Sequence, residues 1–83
     1  MANTKAQIDA LRRILSDGEW HKRVDLPECV RDDRAWRDVD PAKLGQTVVD
    51  RLKMIRDEIE TGEMPGPRGS ILRLVRRKPI PSN

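Results

Sequence analysis

Five cations follow residue 63 with no carboxylate among them: Arg68 within GPRGS, then Arg73, Arg76, Arg77 and Lys78 within ILRLVRRK. A guanidinium is a planar fork of donors and an ammonium is a point charge, so this group suits charge-assisted hydrogen bonds to phosphate or carboxylate oxygens. Upstream the charges balance, with 8 basic and 9 acidic side chains over residues 1–40 and 4 and 5 over residues 41–63. The formal net charge of +3 is therefore set by the last quarter of the chain, an asymmetry that suggests a surface for a polyanion. A solvated basic tail is the alternative.

A second polar group lies in DPAKLGQTVVDRLKMI. At 100° per residue, Lys43, Gln46, Asp50 and Lys53 fall away from the apolar stripe of Leu44, Val48 and Leu52, with Thr47 at its margin. An ordinary solvated helix face would carry the same pattern.

Covalent chemistry finds little to work with. His21 and Cys29 form a catalytic pair only on paper, because no third group orients them and 83 residues leave no room for a cleft. One cysteine and one histidine give no zinc-ligand spacing and no internal disulfide. No enzyme activity, cofactor or metal is expected. No apolar run approaches the ~18 residues of a membrane span. MANTKAQIDA lacks the apolar region of a secretory leader, so a cytoplasmic chain without membrane attachment is expected.

The elements that must position these groups follow from caps and periodicity. With 36% hydrophobic residues the chain can bury one core, so a single domain over 1–78 with a flexible tail over 79–83 is expected. Thr4-Lys5-Ala6-Gln7 fits a capping box, Ile8, Leu11, Ile14 and Leu15 follow at helical spacing, and Ser16-Asp17-Gly18 supplies the stop. Trp20 is expected to face inward from a minimal strand or turn. Asp25 with Pro27 and Glu28 starts a short second helix whose apolar side is Leu26, Cys29 and Val30. Residues 31–40 read as a connection anchored by Trp36, and both tryptophans read as core rather than stacking platforms. Asp40-Pro41 starts a third helix. In it, Gly45 costs about 1 kcal/mol relative to alanine, which predicts close packing against the second helix.

The third helix has two possible ends. Periodicity alone carries it to about 60, whereas SILRLV needs a strand partner for its backbone groups. The second argument favours an end near 57, followed by a hairpin across the PGPRG loop.

Helix, short strand, helix, capped helix and hairpin make a mainly α, α+β chain. In LSDGEWHKRVDL, DPAKLGQTVVDRLKMI and ETGEMPGPRGSILRLV it resembles the winged helix-turn-helix domains of small phage and bacterial proteins. The resemblance covers roughly residues 5–76, and the charged connection at 31–40 is longer than the usual turn between second and third helices. It implies a three-helix fold with a C-terminal β-hairpin wing that binds double-stranded DNA. The third helix then enters the major groove, and the wing contacts the backbone or the minor groove.

In that setting Arg68 suits a narrow minor groove. Gln46 can pair with an adenine edge, Lys43 with guanine or phosphate, and Thr47 with phosphate or a thymine methyl. Asp50 is repelled by phosphates unless it accepts from cytosine N4 or holds Arg51 or Lys53. Some of Arg73, Arg76, Arg77 and Lys78 contact phosphates in this reading, and they could equally meet an acidic protein surface. A small transcriptional regulator or phage control protein is the implied role, with useful specificity requiring a homodimer, a second protein or tandem sites. The rival is a winged-helix module that binds and modulates a host or polymerase protein. Asp32, Asp33, Asp38, Asp40 and Asp50 support it.

Overall fold

The computed structural model describes residues 3–79, and the expected tail therefore lies outside the described residues apart from Pro79. Three helices pack on a three-stranded antiparallel sheet, giving a small α+β domain. The elements are α1 (Thr4–Leu15), β1 (His21–Lys22), α2 (Leu26–Val30), α3 (Leu44–Met54), β2 (Ile59–Pro65) and β3 (Ile71–Arg77). The strand order is β1-β3-β2.

Helix α1 buries Ile8, Leu11 and Leu15 on one stripe, and Gly18, at φ +73, closes its C-terminus by donating its amide to the Leu15 carbonyl at 3.1 Å. The capping box does not form. Asn3 occupies the cap without a side-chain bond, and Gln7 is buried instead. An amide with several interior partners gains more there than at an exposed cap that water can satisfy.

Helix α2 is one turn long and turns Leu26 and Val30 inward, while Cys29 is exposed rather than part of the apolar side. Trp36 anchors residues 31–40 in the core at 1% exposure. The Asp40-Pro41 pair starts a helical turn as expected but caps a 3-10 turn rather than α3 itself, with Asp40 Oδ1 accepting from the Ala42 amide at 3.0 Å. One turn of 3-10 helix (Pro41–Lys43) precedes the α-helix. Val48, Leu52 and Ile55 are buried along its face.

The helix ends at Met54, three residues before the expected position. A tight turn, Arg56–Glu58, then delivers Ile59 to the sheet, where it joins Val75 in the core. The hairpin register runs from Ile59↔Arg77 to Pro65↔Ile71. Thr61 and His21 flank Val75 on the core side, while Lys22, Gly62 and Leu74 share the outer side.

Two further expectations fail. Trp20 is 41% exposed because it lies on the outer side of the sheet with Gly62 beneath its ring; a Cβ at Gly62 would meet the indole Cη2 at 3.2 Å. Gly45 packs against nothing, since a Cβ there would have no atom within 4 Å.

Candidate nucleic-acid interface

Helix α3 is held from behind by Gln7. The Gln7 Nε2 donates to the Ala35 carbonyl at 3.1 Å, and its Oε1 accepts from Arg51 Nε at 2.8 Å. Trp36 Nε1 donates to the Gln7 main-chain carbonyl at 3.1 Å. One residue of α1 thus fixes both the 31–40 connection and the inner side of α3. Sequence reasoning missed Gln7 and Arg51. The signal available was that Gln7 stands one turn before Leu11 and so belongs to the buried stripe.

The outer side of α3 carries Lys43, Gln46, Asp50 and Lys53, all exposed, with Thr47 half-buried. Thr47 Oγ1 donates to the Lys43 carbonyl at 2.9 Å, which uses its one hydroxyl proton inside the helix. Gln46 Nε2 donates to Asp50 Oδ1 at 2.9 Å. Asp50 therefore engages Gln46, not Arg51 or Lys53; Arg51 turns to Gln7 instead.

The hairpin tip is closed by its own backbone and by Ser70. Gly66 N donates to the Ser70 carbonyl at 2.7 Å, Ser70 N to the Pro67 carbonyl at 3.1 Å, and Ser70 Oγ to the same carbonyl at 2.7 Å. Gly66 has no room for a side chain, because a Cβ would come within 2.6 Å of Ser70 Oγ. Arg68 is the one described non-glycine residue with positive φ, at +58, and Gly69 follows at +76. A left-handed arginine costs roughly 1–2 kcal/mol. The side chain is exposed at the far end of the hairpin.

The cations of β3 divide between the two sides of the sheet. Arg73 is exposed and stands opposite Glu63 in the ladder, with no ion pair to it. Arg76 projects to the outer side, where Nε and Nη2 donate to Glu60 Oε2 at 3.1 and 2.9 Å and the guanidinium lies 4.5 Å from the Trp20 ring centroid. Its charge is already matched. Arg77 and Lys78 are exposed at the base of the hairpin.

Arg77 stands close enough to Glu58 to help hold that carboxyl below the usual range, although the larger cause is the Arg12 fork. Arg12 Nε and Nη2 donate to the two Glu58 oxygens at 3.0 and 2.7 Å, tying α1 to the turn that starts the hairpin. Of the acidic residues in 31–40, Asp33 is drawn to Arg13 at 2.8 Å and to the Ala35 amide at 2.9 Å. Asp40 caps the 3-10 turn that leads into α3. Asp32 and Asp38 are exposed.

Among the described residues no group of three or more His, Cys, Asp or Glu gathers where a metal could bind. His21 Nε2 lies 3.0 and 3.1 Å from the Asp17 oxygens. No described helix is long and apolar enough to cross a membrane. Comparison with models of known protein families, with curated proteins and with solved structures finds no match to this chain.

Proposed function

We propose that this chain is a winged-helix protein that binds double-stranded DNA without catalysing a reaction, with α3 in the major groove and the β2-β3 hairpin as the wing. The observation that carries the reading is Arg68. It occupies an unfavourable left-handed conformation at the tip of a self-closed hairpin, exposed and away from the core. Backbone strain maintained on an exposed cation is understandable where the cation meets a ligand. Lys43, Lys53, Arg73, Arg77 and Lys78 add exposed positive charge suited to phosphates. A role in transcriptional or phage control in the cytoplasm follows from the same reading.

A second reading, a winged-helix module that docks on a protein, is favoured by the outer side of the sheet. There Trp20 and Met64 are 41% and 39% exposed, and large aromatic and methionine side chains are frequent at protein interfaces.

Fluorescence anisotropy with mixed-sequence duplex DNA, titrated over a series of salt concentrations, tests the proposal. The wild type is expected to bind with a steep salt dependence. Arg68→Asn, which suits the left-handed backbone, is expected to fold at least as stably and to bind more weakly, with a salt slope reduced by about one unit. A folded wild type that binds no duplex at low salt overturns the DNA reading.

A further inference from the structure

The exposed side of α3 contains a carboxylate that neither packing nor an ion pair explains. Asp50 is exposed, and among the described residues no lysine or arginine lies within ion-pair distance of it. Its one bond is the 2.9 Å acceptance from Gln46 Nε2, one helical turn earlier. A negative charge here opposes approach to phosphates. Its effect on Gln46 compensates.

An ionised carboxylate can only accept, so Gln46 must turn its amide nitrogen toward Asp50 and its oxygen away. One N–H is then committed. The other N–H and the Oε1 remain, side by side, as one donor and one acceptor. Adenine offers the complementary pair in the major groove, with N6–H donating and N7 accepting. Guanine offers two acceptors, O6 and N7, and thymine offers O4 and a methyl group. Each would set an acceptor, O6 or O4, where Gln46 Oε1 needs the donor that adenine N6–H supplies, and the nearby Asp50 carboxylate repels it further.

The geometry points to Gln46 as an adenine-reading residue and to Asp50 as the positioning residue that fixes its amide and penalises guanine. This inference rests on the DNA-binding reading above. It exchanges general affinity for base preference, and that exchange gives the test its signature.

Selection of preferred sites from a randomised duplex library, followed by anisotropy on the selected and on mixed-sequence DNA, is carried out with wild type, Gln46→Ala, Asp50→Ala and Asp50→Glu. Thermal melting controls for folding, which these exposed positions should leave intact. The wild type is expected to select adenine at one position, and Gln46→Ala to lose that preference there by roughly tenfold. Asp50→Ala is expected to lose the same preference while binding mixed-sequence duplex more tightly, because a charge opposing phosphates is gone. Asp50→Glu keeps a carboxylate and is expected to restore part of the preference.

A merely structural Asp50 would not move preference and general affinity in opposite directions. If Asp50→Ala keeps the wild-type preference, or if the base preferred at the position lost in Gln46→Ala is guanine, cytosine or thymine, the inference is overturned and DNA binding stands. A wild type that binds duplex without any preference has the same consequence. A folded wild type that binds no duplex at all overturns both.

Discussion

Trp36 and Gln7, 29 residues apart, are joined by the indole N–H donating to the Gln7 carbonyl at 3.1 Å, while the Gln7 side chain bridges Ala35 and Arg51. This junction ties α1, the 31–40 connection and α3 into one unit. Gln7→Ala leaves the buried Ala35 carbonyl without its donor and frees the Arg51 guanidinium, and is expected to cost about 1–3 kcal/mol. Trp36→Ala adds a large cavity and is expected to cost about 3–5 kcal/mol. Urea denaturation checks both, as a lowered midpoint at an unchanged slope.

Gly62 and Trp20 define a second relationship. Gly62→Val places branched carbons where the indole now rests, since even a single Cβ would stand 3.2 Å from its ring. The ring should lift from the sheet and separate from Arg76. The expected readout is a red-shifted tryptophan emission with the Trp36 environment preserved. An unchanged spectrum in a folded variant would show that Gly62 is not what seats the indole.

Gly45 has the opposite character. Its position is helical and a Cβ there meets nothing within 4 Å, so Gly45→Ala should raise stability by about 1 kcal/mol through helix propensity alone. A calorimetric melting temperature that fails to rise contradicts this.

Acid should weaken the tie between α1 and the hairpin. Glu58 is held below the usual carboxylate range, first by the Arg12 hydrogen bonds. Asp17 is held low first by the Glu19 amide and then by His21. A carboxylate whose folded pKa is depressed contributes stability that is present above its unfolded pKa and lost as pH falls through the folded one. Melting temperature should therefore decline below about pH 5. The contribution is small because the Arg12–Glu58 pair is roughly half exposed. Arg12→Met should flatten the decline, and an equally steep decline in that variant would assign the acid sensitivity elsewhere.

Much of this architecture is legible locally. Ile8, Leu11 and Leu15 announce α1, Asp40-Pro41 announces the turn that leads into α3, and PGPRG before the apolar SILRLV announces the hairpin; each is set by neighbours a few residues away. Tertiary context decides the rest. Gln7 fits a capping box as well as it fits the interior, and only the arrival of Ala35 and Arg51 selects the second. Trp20 is expected inward and lies outward, because two strand residues carry too little alternation to orient it and only the pairing of β1 with β3 decides its side. The end of α3 at Met54 reflects the need to place Ile59 beside Val75 in the core, which periodicity along one helix cannot register. In the candidate site, the exposed positions were readable from the helical wheel. The Gln46–Asp50 bond and the pairing of Arg76 with Glu60 and Trp20 were not, since they depend on rotamers and on the sheet.

The closed turn at Gly66–Ser70 also gives the molecule a modular economy. Its bonds run from Gly66 to Ser70 and from Ser70 to Pro67, all within the tip. The body of the domain therefore does not constrain which side chain stands at position 68. Position 68 behaves as an interchangeable socket: its side chain can be rewritten within what a left-handed backbone tolerates, while Gly66, Gly69 and Ser70 keep the turn that holds the ladder in register.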